Sequence, residues 1–170
     1  MNKEEYIYEY YKNIVKPTVN EFLLDQTNIR RGQLAAIVLD HVRDYRAVQL
    51  NIKNDKGDYS SNKVLEQIKG SCPDAVFIRD VCNASKHAVL TSNNFKTPRT
   101  LSNADQVDAE DLPGLFDAPF GESYFAEASY VFIKFDKEQD INGEKTLFRM
   151  LHDSINEVIK YWDKELDYEN

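Results

Sequence analysis

One stripe near the C-terminal end constrains the fold more than any other feature. In "LFRMLHDSINEVIKYWDKEL", Leu147, Leu151, Ile155, Val158, Ile159, Trp162 and Leu166 recur at steps of three and four residues. That spacing puts them on one face of a helix. A face so apolar must be covered, so the rest of the chain has to supply packing partners. The chain has 170 residues, 42% of them hydrophobic, which suffices for one domain with its own core, residues 1–170, and argues against disorder.

The partners are mostly helical by the same criterion. In "EEYIYEYYKNIVKPTVNEFLL", Ile7, Tyr11, Ile14, Thr18 and Phe22, with Tyr10, Val15 and Val19, share a stripe. Pro17 falls inside it and predicts a kink or a break. Thr27 or Asn28 is placed to cap a helix over 29–50, with Leu34, Ile37, Val38, His41, Val42, Tyr45 and Val48 on its inner face. Ser60 or Ser61 caps a short helix carrying Val64, Leu65 and Ile68, which Gly70 ends. Pro73 then suits the first position of the next helix.

Beyond His87 the helical period stops. "AVLTSNNF" reads as a short extended piece, and residues 96–123 read as one long acidic loop holding three of the five prolines. "YFAEASYVFIKFD" alternates and is rich in aromatic and β-branched residues, which predicts a strand from Phe125 to Asp136. Asn142-Gly143 follows as a tight-turn signal. The expected fold is mainly α: a helical bundle of four or five helices, with a small β-sheet or hairpin inserted before the C-terminal helix.

Charge is unevenly divided. Residues 1–100 carry fifteen Lys or Arg against twelve Asp or Glu, and residues 101–170 carry six against seventeen. A basic nucleic-acid binder is disfavoured, because phosphate affinity comes from clustered Lys and Arg. Asp105, Asp108, Glu110 and Asp111, with Lys86, are the candidate binding residues for a protein partner with a basic surface. No run approaches the length of a membrane span. Acids in "MNKEEYIYEYYKN" stand where a signal peptide would be apolar, which predicts a cytoplasmic protein.

Chemistry concentrates in "IRDVCNASKHAVL". Arg79, Asn83 and His87 are spaced by four and would line one helical edge. There a His can exchange a proton and an Arg can stabilise developing negative charge, with Asn83 orienting the imidazole. These three are the candidate catalytic residues. The alternative is structural, with Asn83 and His87 satisfying the helix C-terminus. Six scattered glycines form no phosphate loop, Ser85 and Cys82 lack a nucleophile context, and no Glu-x-x-His pair is present. We therefore expect no cofactor and no metal. The crowded Tyr6, Tyr8, Tyr10 and Tyr11 make either a core edge or an interaction face.

"RDVCNASKHAVL", and above all Asn83-Ala84-Ser85-Lys86-His87, resembles a motif of short, uncharacterised prokaryotic and phage helical proteins with an Asn-Ala-x-Lys-His core. More distantly it is similar to the HEPN superfamily of helical domains, many of them ribonucleases of toxin and phage-defence systems. That resemblance implies RNA as substrate, Arg79 and His87 at the site, and a homodimer with two facing motifs. Seven residues separate Arg79 from His87, a longer gap than the HEPN motif has.

Overall fold

The computed structural model describes residues 3–90, 96–111 and 129–168. Helix α1 (Lys3–Tyr10) runs through a π-helical turn (Tyr11–Val15) into α2 (Lys16–Leu23) without a break. Pro17 therefore neither splits nor ends the rod. Proline has no N–H to offer the preceding turn, and the wider π turn just before it takes up the irregularity: the Lys16 N–H donates five residues back, to the Tyr11 carbonyl. The inserted residue also shifts the phase of the buried face. Ile7, Tyr11, Val15, Val19 and Phe22 are buried, while Ile14 is exposed.

Helix α3 (Ile29–Gln49) starts at Asn28, whose side chain accepts from the Arg31 N–H at 3.2 Å. Its inner face is only in part the one the large apolar residues predict: Val42 is buried, and Val38 and Tyr45 pack half-buried against the core. Gly32, Ala35, Ala36, Leu39, Val42, Arg43 and Ala47 are buried, whereas Leu34 and His41 are exposed. Small residues let neighbouring helices approach closely. A Cβ on Gly32 would lie 2.8 Å from Leu151 Cδ2 and 3.0 Å from Phe22 Cε2. Arg43 is buried in that face because Asp40 pairs with it and the Ser61 carbonyl accepts from its Nη1 at 3.2 Å.

Helix α4 (Ser61–Ile68) is capped by Ser60 and buries Val64, Leu65 and Ile68, as its spacing predicts. Helix α5 (Asp74–Ala84) begins just after Pro73 and is buried almost all round. Asp74, at its start, holds Arg149 Nε at 2.7 Å.

Strand β1 (Val107–Asp111) follows a single 3-10 turn (Ala104–Gln106). Both lie inside the stretch expected to be one loop, 96–123, of which residues 112–123 are outside the described residues. Strand β2 (Ser129–Ile141) extends past the expected end at Asp136, and the expected start, 125–128, is outside the described residues. Asn142 and Gly143 both take positive φ, 56° and 88°, and turn β2 into β3 (Glu144–Met150). The three strands are antiparallel in the order β1-β2-β3. Helix α6 (Leu151–Glu165) therefore starts four residues later than its stripe suggests, and Leu147 sits exposed on β3. From Leu151 onward the stripe holds: Leu151, Ile155, Val158, Ile159, Trp162 and Leu166 are all buried.

The protein is mainly helical with a small three-stranded sheet. Its inner sheet face, Val107, Val131, Ile133 and Phe135, joins the helical core, with the Phe77 and Phe135 rings 4.7 Å apart. No helix among the described residues is long and apolar enough to cross a membrane.

Candidate functional site

Helix α5 carries the polar cluster, and its two charges point inward. Arg79 is 2% exposed and Asp80 0%. Arg79 Nε donates to Asp80 Oδ1 at 2.8 Å, Nη1 to the Thr97 carbonyl at 3.0 Å and Nη2 to the Pro98 carbonyl at 2.9 Å. The other oxygen of Asp80 accepts from the Thr100 N–H at 2.7 Å and the Thr100 hydroxyl at 2.8 Å. Adjacent helical residues seldom face one another. Here the pair clasps one outside segment, Thr97 to Thr100, and that segment's main chain supplies much of the hydrogen bonding that two buried charges require.

The expected catalytic edge does not extend to position 87. Helix α5 ends at Ala84, so Lys86 and His87 lie beyond it, and both are exposed. Arg79 faces the interior while His87 faces water. Asn83 Nδ2 donates to the Arg79 carbonyl at 2.9 Å, a bond to its own helix. The His87 N–H donates to the Asn83 carbonyl at 3.0 Å and helps close the helix end.

The thiols are poor nucleophiles. Burial pushes Cys72 up to about 11, and burial together with the neighbouring Asp40 carboxylate pushes Cys82 up to about 12. The Ser85 hydroxyl donates to the Cys82 carbonyl at 2.7 Å. His41 is exposed and does not share an inner face with Tyr45, which instead stacks on Tyr10 with ring centroids 4.1 Å apart. Among the described residues no three of His, Cys, Asp and Glu come together as a metal site would need.

His152 is a titratable group at odds with its surroundings. Its ring lies 5.4 Å from that of Tyr130, and its Nδ1 is buried with no hydrogen-bond partner among the described residues. Burial lowers its pKa below the ordinary value, against the Asp153 carboxylate 3.4 Å from Nε2 and together with the nearby Arg149 charge. A depressed folded-state pKa means that the unfolded chain takes up the proton first. The neutral ring's contribution is then complete above about pH 6.5 and is lost as pH falls through the folded value. Melting temperature should fall as pH drops below about 6.5, and His152→Gln should flatten that fall. An unchanged slope in the variant would assign the acid sensitivity elsewhere.

The candidate acidic residues gather along one sheet edge. Asp105 is exposed on the 3-10 turn, and Asp108 and Glu110 are exposed on β1, an edge strand of the described sheet. They alternate with buried Val107 and half-buried Ala109, as a half-covered strand requires. Glu110 pairs with Lys134 of β2. That hydrogen bond, with the added charges of Asp108 and Asp105, raises the Lys134 pKa. Asp111 closes the strand, and its side chain is outside the described residues.

Sequence reasoning missed the clasp between α5 and Thr97–Thr100. Its signal was present: Arg79 and Asp80 interrupt the apolar run Phe77, Ile78, Val81 on a helix with almost no polar side, so both had to be satisfied inside. No family model, no curated protein and no solved structure matches the chain.

Proposed function

We propose that the protein is a non-enzymatic interaction protein that binds a partner with a basic surface along the β1 edge. The observation that supports this reading is the exposed row Asp105, Asp108 and Glu110 on regular structure, with Lys134 as the cation set among them. Acids fixed on a strand present charge at constant spacing, which favours complementary basic surfaces and speeds encounter. Among the described residues β1 pairs on one side only, with β2, and in this reading a partner strand adds to its other side. Lys86 lies exposed just beyond α5, and in this reading it contributes at the rim.

The ribonuclease reading places Arg79 and His87 together at an RNA phosphate. The burial of Arg79 weighs against it, because a guanidinium held by Asp80 and two carbonyls is committed to the fold. His87 is exposed, so the two readings are separable by experiment. The partner captured by wild type should be released by salt, and Asp105→Asn, Asp108→Asn and Glu110→Gln together should weaken capture by about tenfold or more at low ionic strength. Capture indifferent to those charges would remove the edge from consideration. Cleavage of total RNA by wild type that His87→Ala abolishes would favour the ribonuclease instead.

A further inference from the structure

We infer that the recess between α1 and α3, lined by Tyr6, Asp44, Tyr45 and Val48, binds a quaternary ammonium group. Its volume is about 240 Å³, below the roughly 300–1,000 Å³ of pockets that enclose a whole drug-sized ligand. It suits a compact headgroup, with the rest of the ligand left in water.

The tyrosines crowded on α1 and the following turn divide between two tasks. Tyr11 is buried in the core. Tyr10 is half-buried and stacks on Tyr45, with ring centroids 4.1 Å apart and 10° between the ring planes. Its hydroxyl donates to the Val38 carbonyl at 3.0 Å, so the ring behind Tyr45 is itself anchored. One turn earlier on α1, Tyr6 stays 42% exposed. Tyr45 and Val48, three apart on α3, are half-buried beside it. The recess thus has one ring held in place by stacking and one ring at its open side, and a preformed wall reduces the ordering cost of binding.

Asp44 is exposed and brings the only charge to this lining among the described residues. Neither a hydrogen bond nor an ion pair among the described residues occupies its carboxylate. Asp40, one turn earlier on α3, is by contrast paired with Arg43. After burial itself, the groups that raise the Tyr10 pKa are Tyr45, Asp44, Cys82 and Asp40, all of which ionise to anions. The Asp44 charge therefore acts on the same ring stack that backs the recess.

These features select the ligand. Aromatic faces attract a cation through the ring quadrupole, and an unpaired carboxylate beside them adds to that attraction. The surface of the recess is apolar. A primary ammonium or a guanidinium would give up hydrogen bonds to water there and find no acceptors in return. A quaternary ammonium carries its charge under methyl groups and has no N–H to satisfy. Free choline and a trimethylated lysine side chain both present that group.

The test is an NMR titration of the full chain, followed through the amide signals of α1 and α3. The probes are choline, its uncharged carbon isostere with a tert-butyl group in place of the trimethylammonium, and the blocked amides of trimethyllysine and of lysine. Wild type should bind choline saturably, with affinity about fivefold or more above that for the isostere. Asp44→Asn should weaken choline about threefold and leave the isostere unchanged. Tyr6→Leu keeps an apolar side chain but removes a ring, and should weaken choline about fivefold. Both positions are exposed, and circular dichroism confirms that each variant is folded. Neutralising Asp105, Asp108 and Glu110 should not weaken choline, which separates this site from the β1 edge. Tighter binding of the trimethyllysine amide than of choline assigns the group to a modified protein side chain, and the reverse order assigns it to a small molecule. No saturable binding by wild type, equal affinity for choline and its isostere, preference for unmethylated lysine, or unchanged affinity in the folded variants would each overturn the inference.

Discussion

Asp80→Ala should lower the unfolding free energy by about 3–5 kcal/mol, the range for removing one partner of a buried ion pair. The carboxylate it deletes is fully buried and accepts from Arg79 Nε, the Thr100 N–H and the Thr100 hydroxyl. Its loss leaves a guanidinium in the interior with carbonyls but without the countercharge. It also leaves a main-chain N–H without its acceptor. Stabilities of single domains are commonly 5–15 kcal/mol, so the variant stands near the limit of folding. Urea unfolding followed by circular dichroism measures the shift in midpoint, with an unchanged slope expected if only the folded state is affected. Replacing both charges, Arg79→Met with Asp80→Leu, should cost less than Asp80→Ala alone, because no charge is then left unpaired. A double variant weaker than the single one would mean that the Thr97–Thr100 anchoring outweighs the charge effect.

Trp162→Ala should cost a similar amount, about 3–5 kcal/mol, by a different route. Trp162 is 1% exposed and is the largest fully buried side chain, packed edge-on to Tyr161 with ring centroids 5.2 Å apart. It lies on the stripe through which α6 meets the other helices. Truncation removes the transfer energy of the indole and leaves a cavity that the rigid neighbours fill only in part. Trp162→Phe keeps most of the volume and should lose much less. Since the chain has a single tryptophan, wild-type fluorescence reports on this layer directly, while the variants are followed by circular dichroism. A loss below about 1 kcal/mol for the alanine variant would show that the layer collapses around the gap.

Local signals are legible in this sequence, and non-local ones are not. The Asn28 and Ser60 caps, the Asn142-Gly143 turn, and the stripes of α4 and α6 are local signals, and the structure carries them out. On α3 the large apolar residues mark only part of the inner face, because Leu34 fits the spacing and yet is exposed while small residues carry little hydrophobic signal. The face is built from glycine and alanine, whose value lies in close approach. The sequence reads strand β3 as the start of α6 because Leu147 fits the helical spacing by coincidence; pairing with β2 decides its conformation. Strand β1 is hidden in an acidic stretch because its only guide is Val107 and Ala109 alternating with charges, and its partner residues lie 18 to 26 positions away. At the site, the chemistry-bearing residue types were legible, but their directions were not. Where α5 ends, and which side of it faces Thr97–Thr100, depends on parts of the chain far from the motif.

The glycine-and-alanine face of α3 has a bearing on ancestry. Helices α1, α2, α4, α5 and α6 all meet this one rod, so enlarging a residue on its inner face would push several neighbours at once. Divergence along Gly32, Ala35, Ala36, Leu39, Val42, Arg43 and Ala47 must therefore be slow, while the outward positions Leu34, His41 and Leu50 are free to drift. A distant cousin of this chain would be recognised by that pattern of small residues and one inward arginine before any likeness in its polar motif became visible.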